Sequence, residues 1–557
     1  MARYQERALT AAVLPGRPLA VLFTPAQRES WWEYLGLLLG IGAGLAVRLR
    51  HILAYDFPLN DGGLFYVMVR DIQENGFLLP AYTSYNFTRI PFAYPPLAFY
   101  LAAFLDRIGP WSLMDIFRFL PLGANVLTIG AFYLLARAVL GKGWPSIWAT
   151  WMYALLPRAF LWQLPGGGLT RSLGLLWAVL ALWQGYVMVR RGEGPRLGAI
   201  IFATLAVLTH PEMGWAVVFS YMYFLLVYGR SRRGLWSVLV SGAAVAVLSS
   251  PWWATVVARH GVGVLVSASQ TGKEDWLSFR FLNLIHSHLS EEPFFPLLAS
   301  LGYWGMAVSI VRGQLFLPGW LLLTLYIDPR VAGTNAMVPL ALQGGVGLAA
   351  LAELARQHGG HLGLVPRLGR WLGSLPGELR WVASPWVPFA LSLVIAYGVY
   401  SAIHAGDFFP SPLRAIPPSV RKTMEWVRSY TPGAARFLVI HGQMDPWTDA
   451  ASEWFPALTG RESLATVQGY EWLGKGKFDT QLSAFWSLQS CIYEGASCLQ
   501  WWEEAFGRPF DHVFILCPNS WECSSELLKS LTLDSRYRLL YGGEGGYIFR
   551  RQSPYQG

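Results

Sequence analysis

Long apolar runs separated by short polar turns fill most of the first 400 or so residues. Runs long enough to cross a bilayer fall at 31–53, 116–136, 144–164, 170–189, 197–211, 213–229, 235–252, 294–311, 314–328, 334–354 and 384–402. This pattern predicts an α-helical polytopic membrane protein with about 11 transmembrane helices spread over residues 31–402. The pair meeting at His210-Pro211 is divided by the proline, which disfavours helix for the residue before it. Beyond residue 403 the pattern changes to mixed helix and strand. Val420–Val427 reads as helix, and Arg436–His441 and His512–Leu516 read as strands. Tyr537–Tyr541 and Tyr547–Arg550 read as a hairpin around a glycine-rich turn. Residues 403–557 are therefore expected to form a small α/β domain. Residues 1–30, with Arg3, Arg7, Arg17 and Arg28, read as a polar cytoplasmic segment without a cleavable signal.

Two connecting segments are unusual. The first, 54–115, opens with Tyr55-Asp56-Phe57-Pro58-Leu59-Asn60-Asp61-Gly62-Gly63. Asn60 or Asp61 is placed to cap a surface helix whose apolar stripe runs through Phe65, Val69 and Ile72. Tyr94-Pro95-Pro96-Leu97 then leads into an apolar stretch that Asp106 and Arg107 end too soon for a crossing, so it reads as re-entrant or interfacial. The second, 253–293, carries His260, Lys273, Glu274, Asp275, His286, His288, Glu291 and Glu292; a solvated loop suits its His286/His288 pair better than a chelate.

Composition sharpens the class. Hydrophobic residues make up 54% and charged residues 14% of the 557, and 27 Trp, 25 Tyr and 31 Phe supply rings suited to membrane–water interfaces. A mean hydropathy of +0.35 excludes a water-soluble globule and a disordered chain. The net charge of +9 does not call for a nucleic-acid partner. From about residue 407 onward there are 14 basic and 16 acidic residues, so the excess lies in the membrane half. There, loops of one parity hold about 17 basic and 6 acidic residues against about 12 and 12 on the other side. The positive-inside rule then puts the N-terminus in the cytoplasm and the C-terminal domain outside. The four cysteines, Cys491, Cys498, Cys517 and Cys523, all lie in that domain, as expected for two short-loop disulfides in an oxidising compartment. Neighbour-with-neighbour pairing is preferred over the other pairings, over free buried thiols and over a zinc site.

Polar groups at membrane depth gather on the same outer side. They are Gln163, the Gly166-Gly167-Gly168-Leu169-Thr170-Arg171 turn and Thr209-His210-Pro211-Glu212, and an ionisable residue in hydrocarbon is a functional candidate by default. Asp328-Pro329-Arg330 closes another outer turn. Each candidate has a plainer reading beside it. Asp61 reads also as a helix cap, the glycines as a close helix packing, and His210 as a hydrogen-bonded kink residue. Asn86-Phe87-Thr88 matches a glycosylation sequon, read here as chance.

The layout resembles the GT-C glycosyltransferases, among them protein mannosyltransferases, aminoarabinose transferases and the catalytic subunit of oligosaccharyltransferase. Asn60-Asp61-Gly62-Gly63-Leu64-Phe65-Tyr66, Tyr94-Pro95-Pro96-Leu97 and Arg118-Phe119-Leu120-Pro121 carry the resemblance, at about 15 positions. It implies inverting transfer of a sugar from a polyprenyl-phosphate-linked donor to a lipid, glycan or protein acceptor on the extracytoplasmic side. Asp61 matches the early-loop acid of the family and is expected as base or metal ligand, with Asp56 a second carboxylate. Arg171, Arg89 and Arg118 are candidates for the donor phosphate, and Tyr94, His210 and Glu212 for lining the site. The second loop lacks the acidic metal motif of oligosaccharyltransferase, which favours a metal-independent enzyme. A divalent cation, Mg or Mn, held by Asp61, His210 and Glu212 stays open. The Trp-Trp-Asp acceptor motif is absent, and Trp454-Phe455-Pro456 is no substitute, so N-glycosylation is not expected. The rival readings are a lipid-linked glycan flippase and a catalytically inactive scaffold. The compact loops and missing targeting signal point to a prokaryotic plasma membrane.

Overall fold

The computed structural model describes residues 31–192, 194–229, 231–271, 289–327, 332–358, 386–407, 411–517 and 525–552. In chain order, α1 is Trp31–Leu53, α2 Gly63–Glu74, α3 Leu97–Ile108, α4 Leu113–Leu140, α5 Trp144–Leu155 and α6 Gly168–Arg191. Then follow α7 Leu197–Thr209, α8 Pro211–Tyr228, α9 Arg232–His260, α10 Gly263–Gln270, α11 Leu297–Val311, α12 Phe316–Ile327, α13 Ala332–His358 and α14 Trp386–Ile403. Among the described residues, five helices are long and apolar enough to cross a membrane: α1, α4, α6, α9 and, within α13, Gly333–Leu354. The protein is an integral membrane protein. The helices α7, α11 and α12, with Val387–Ile403 of α14, are apolar but shorter.

The apolar run at 144–164 does not form one helix. It stops at Leu155, because Leu156 precedes Pro157 and is extended (φ −65°, ψ 118°). The chain then makes a 3₁₀ turn at Pro157–Ala159 and reaches the glycine turn before α6. The break expected at His210 is present, with His210 extended between α7 and α8. Close helix packing is set elsewhere, where a Cβ on Gly305 would lie 1.8 Å from the Gln343 carbonyl oxygen, so α11 and α13 meet backbone to backbone. In the first loop, α2 forms where the apolar stripe placed it, burying Leu64, Met68, Val69 and Ile72. Its cap is a correction: the N-cap is Gly62, with no side-chain cap from Asn60 or Asp61. The 12-residue α3 is not among the helices long enough to cross.

The C-terminal region contains α15 Pro418–Tyr430, α16 Ala450–Thr459, α17 Lys475–Ser490, α18 Ala496–Phe506 and α19 Glu526–Leu533 around a five-stranded sheet. Its strands are β1 Arg436–Ile440, β2 Glu462–Ser463, β3 His512–Leu516, β4 Tyr537–Gly543 and β5 Gly546–Arg551, in the order β2-β1-β3-β5-β4. β1 is parallel to β2 and β3, while β5 is antiparallel to β3 and β4. Alternation of period two sorts the strand side chains onto two faces. Leu438, Ile440, Val513 and Ile515 meet Leu488, Leu499 and Trp502 on one face. Phe437, Val439 and Phe514 meet Val420, Met424 and Phe455 on the other, and that cluster includes Phe57 and Trp454, so this face lies against the first loop. The two-residue β2 is too short to be marked by any pattern. Cys491 and Cys498 form a disulfide, Cys517 is disulfide-bonded, and Cys523 lies outside the described residues.

Candidate active site

Asp61 occupies a loop fastened on both sides. Ahead of it, Leu59 bridges Ala415, and the Asn60 amide donates to the Arg414 carbonyl at 2.7 Å. Asn60 sits at φ 43° and Gly62 at φ 125°, a value that only glycine adopts at low cost. Behind it, the glycine turn before α6 comes very close. Gly166 N–H donates to Leu59 O at 2.8 Å and Gly167 N–H to Asp61 O at 3.2 Å. A Cβ on Gly166 would lie 2.3 Å from Asp61 O, so the glycines exist to admit the loop.

The Asp61 carboxylate faces Arg171. Arg171 Nη1 donates to Oδ2 at 2.8 Å and Nη2 to Oδ1 at 2.9 Å, a bidentate pair. Gly167 N–H adds a third bond to Oδ1 at 3.0 Å, and Arg171 Nε donates to Trp162 O at 2.7 Å. Both side chains are 19% exposed. The anion held at the glycine turn in this structure is the protein's own Asp61. Beside this pair, the Tyr94 hydroxyl lies 3.2 Å from Thr170 Oγ1, and its ring packs edge-on against His210 and Trp472. His210 Nε2 is 3.9 Å from the Glu212 carboxylate.

The other candidates do not join this cluster. Asp56 is 69% exposed and takes two bonds from Arg421 Nη2, at 2.6 and 2.7 Å. Arg118 donates to Tyr55 O at 2.5 Å and lies 3.7 Å from Asp115. The Arg89 guanidinium lies 5.0 Å above the Tyr82 ring. Of the loop acids, Glu291 pairs with Arg158, and Glu292 accepts from Leu298 and Ala299 at the start of α11. His286, His288 and Asp328-Pro329-Arg330 lie outside the described residues. The Asn86 side chain is buried and bonds both ways to the Ser463 backbone, an arrangement that leaves no free amide for modification.

One residue escaped the sequence reading. Glu453, in the first turn of α16, accepts from Gly62 N–H at 2.8 Å and Leu64 N–H at 3.4 Å. The adjacent Trp454 Nε1–H donates to Asn60 O at 2.8 Å. Burial, reinforced by the neighbouring Asp61 charge, pushes the Glu453 carboxyl up to about 8. Glu453 is 5% exposed beside Trp454 and Phe455; in the sequence it is one acid among apolar neighbours, and nothing there marks it for this place.

No family model matches the chain, and no curated protein sequence does. Solved structures do. The Archaeoglobus fulgidus oligosaccharyltransferase AglB, in complex with an inhibitory peptide and a dolichol-phosphate, superposes with a TM-score of 0.53 at 15% identity. That match covers 88% of this chain and 70% of that one. ArnT from Cupriavidus metallidurans bound to undecaprenyl phosphate superposes with a TM-score of 0.50 at 14% identity, over 94% of this chain and 99% of that one. The chain has the GT-C fold. Within that GT-C fold, the carboxylate offered first for a metal already has protein partners. The Asp61 oxygens are directed at Arg171 and Gly167, and no group of three or more His, Cys, Asp or Glu stands ready among the described residues. The AglB structure in complex with Zn and sulfate, at a TM-score of 0.52, concerns that protein.

Proposed function

We propose that this protein is a membrane glycosyltransferase. It moves a sugar from a polyprenyl-phosphate-linked donor to a lipid, glycan or protein acceptor on the extracytoplasmic side. The supporting observation is the Asp61–Arg171 pair, seated in a glycine turn at the start of a membrane helix of a GT-C fold. The pair holds one general base and one phosphate-binding cation in contact, and each is released as the other finds its substrate group. The donor phosphate competes for the Arg171 guanidinium, which turns Nη donors from Asp61 toward phosphate oxygens. The freed Asp61 oxygen accepts the proton of the acceptor hydroxyl or amine. The acceptor atom attacks the anomeric carbon from the side opposite the phosphate, the carbon–oxygen bond to phosphate breaks, and the electron pair leaves on the polyprenyl phosphate. One displacement inverts the anomeric centre. No step runs through a metal. The cytoplasmic N-terminus, the prokaryotic plasma membrane and the division at residue 403 belong to this reading and rest on loop charge and hydropathy.

The test is sugar release from labelled polyprenyl-phosphate hexoses by the purified protein and by Asp61→Ala, with and without EDTA. Turnover that is lost in the variant and indifferent to EDTA is the expected result. Equal turnover by both proteins would keep the enzyme and remove Asp61 from its centre. Lipid binding without turnover across a donor panel would favour the flippase or the scaffold.

A further inference from the structure

We infer that Glu453, supplied by the C-terminal sheet region, is the positioning residue that holds Asp61 opposite Arg171. The inference rests on the reading of Asp61 as the reacting carboxylate. Its ground is an exchange of capping partners. An Asn or Asp just before a helix ordinarily caps that helix with its own side chain. Here the amides of Gly62 and Leu64 at the start of α2 bond instead to a carboxylate 391 and 389 residues away. Relieved of capping, Asp61 is turned toward Arg171 and Gly167.

The peptide joining Asp61 to Gly62 is held at both ends. Its carbonyl accepts from Gly167 N–H, on the membrane helix side. Its N–H donates to Glu453 Oε1, on the sheet side. Glu453 cannot drift, since its own carbonyl accepts from the Tyr85 hydroxyl at 2.6 Å, and a Cβ on Gly63 would lie 2.5 Å from that same oxygen. The charged groups facing the Glu453 carboxyl are Asp61 and Arg171. Docking of the sheet region therefore completes the site, although α16 donates no atom to the Asp61–Arg171 pair.

The test compares Glu453→Ala, Glu453→Gln and Glu453→Asp in the full chain. Gln keeps an acceptor at the position of Oε1, whereas Asp is one methylene too short. In Glu453→Ala and Glu453→Asp, kcat falls about 10- to 100-fold, because the base is displaced. Gln restores most of that loss. Hydrogen exchange of the 61–66 segment, followed by mass spectrometry, rises in Ala and Asp and stays low in Gln. Exchange needs no turnover, so it judges the inference even if the wild type transfers no sugar. Unchanged exchange in Glu453→Ala, or a Gln variant as impaired as Ala, would overturn the inference. Were Glu453→Ala to misfold, the Asp and Gln pair would carry the same comparison.

Discussion

Gly167→Ala is the most discriminating change at the site. A Cβ at residue 167 would stand 2.6 Å from Asp61 Oδ2, 2.8 Å from Cγ and 2.9 Å from Oδ1. Ordinary contact begins at 3.4 Å, so the carboxylate must retreat by about 0.8 Å. The carboxylate is the far end of a side chain, and it yields more readily than backbone. Gly167 already has helical dihedrals (φ −65°, ψ −13°), so alanine adds no backbone strain. As the N-cap residue it loses only about 0.5–1 kcal/mol. The expected outcome separates stability from activity. Tm falls by no more than about 2–4 °C, while sugar release falls about 10- to 100-fold, the effect of an ångström-scale misplacement of a reacting group. Gly130→Ala, where an added Cβ meets nothing within 4 Å, is the control and should match the wild type. The assay is the initial rate of sugar release from a labelled polyprenyl-phosphate hexose, with melting of each variant measured in the same detergent. Full activity in Gly167→Ala would refute the claim that the place of Asp61 matters. A collapsed Tm would show that the glycine serves folding instead.

Three further outcomes are expected. Removing one member of the Asp61–Arg171 pair strands the other, so the double variant Asp61→Ala/Arg171→Ala should be destabilised by less than the sum of the two single variants; the coupling, of about 1–3 kcal/mol, is measured by a thermal double-mutant cycle. Burial raises the Glu453 carboxyl from 4.5 to about 8, so the folded protein holds a proton that the unfolded chain has lost. The contribution of this group to stability is present in full below about pH 4.5 and is lost as pH rises toward about 8; Glu453→Gln should lack this decline, as Tm against pH for the two proteins would reveal. Asp56 lies on the surface with Arg421, and Asp56→Asn should leave kcat and KM within about twofold, since exposed pairs contribute little.

Much of the membrane half could be read from local pattern, because burial in hydrocarbon demands continuous apolar helix and short-range rules end it. The bounds of α1 and the break at His210-Pro211 follow from hydropathy and from one proline. The same rules misread 144–164, where apolar character continued but Pro157 had already stopped the helix. The strands β1 and β3 were legible as short apolar runs, whereas β2 has two residues and exists only because β1 lies beside it.

Asp61 and Arg171 were each visible in the sequence, one as an acid at a loop entry and the other as a cation after three glycines. Their partnership was not, because they stand 110 residues apart and only the fold brings the glycine turn against the loop. Asp56, Arg89 and Arg118 were secondary candidates in sequence, behind Asp61 and Arg171, and went to other partners. Glu453 is the extreme case. Its residue type and apolar neighbours suit an ordinary amphipathic helix, and its role arises from two amides nearly 400 residues earlier in the chain. Hydrophobic burial is set by what a segment is, so it can be read along the chain. A hydrogen bond is set by which groups meet at about 3 Å, and across such separations only tertiary structure decides that.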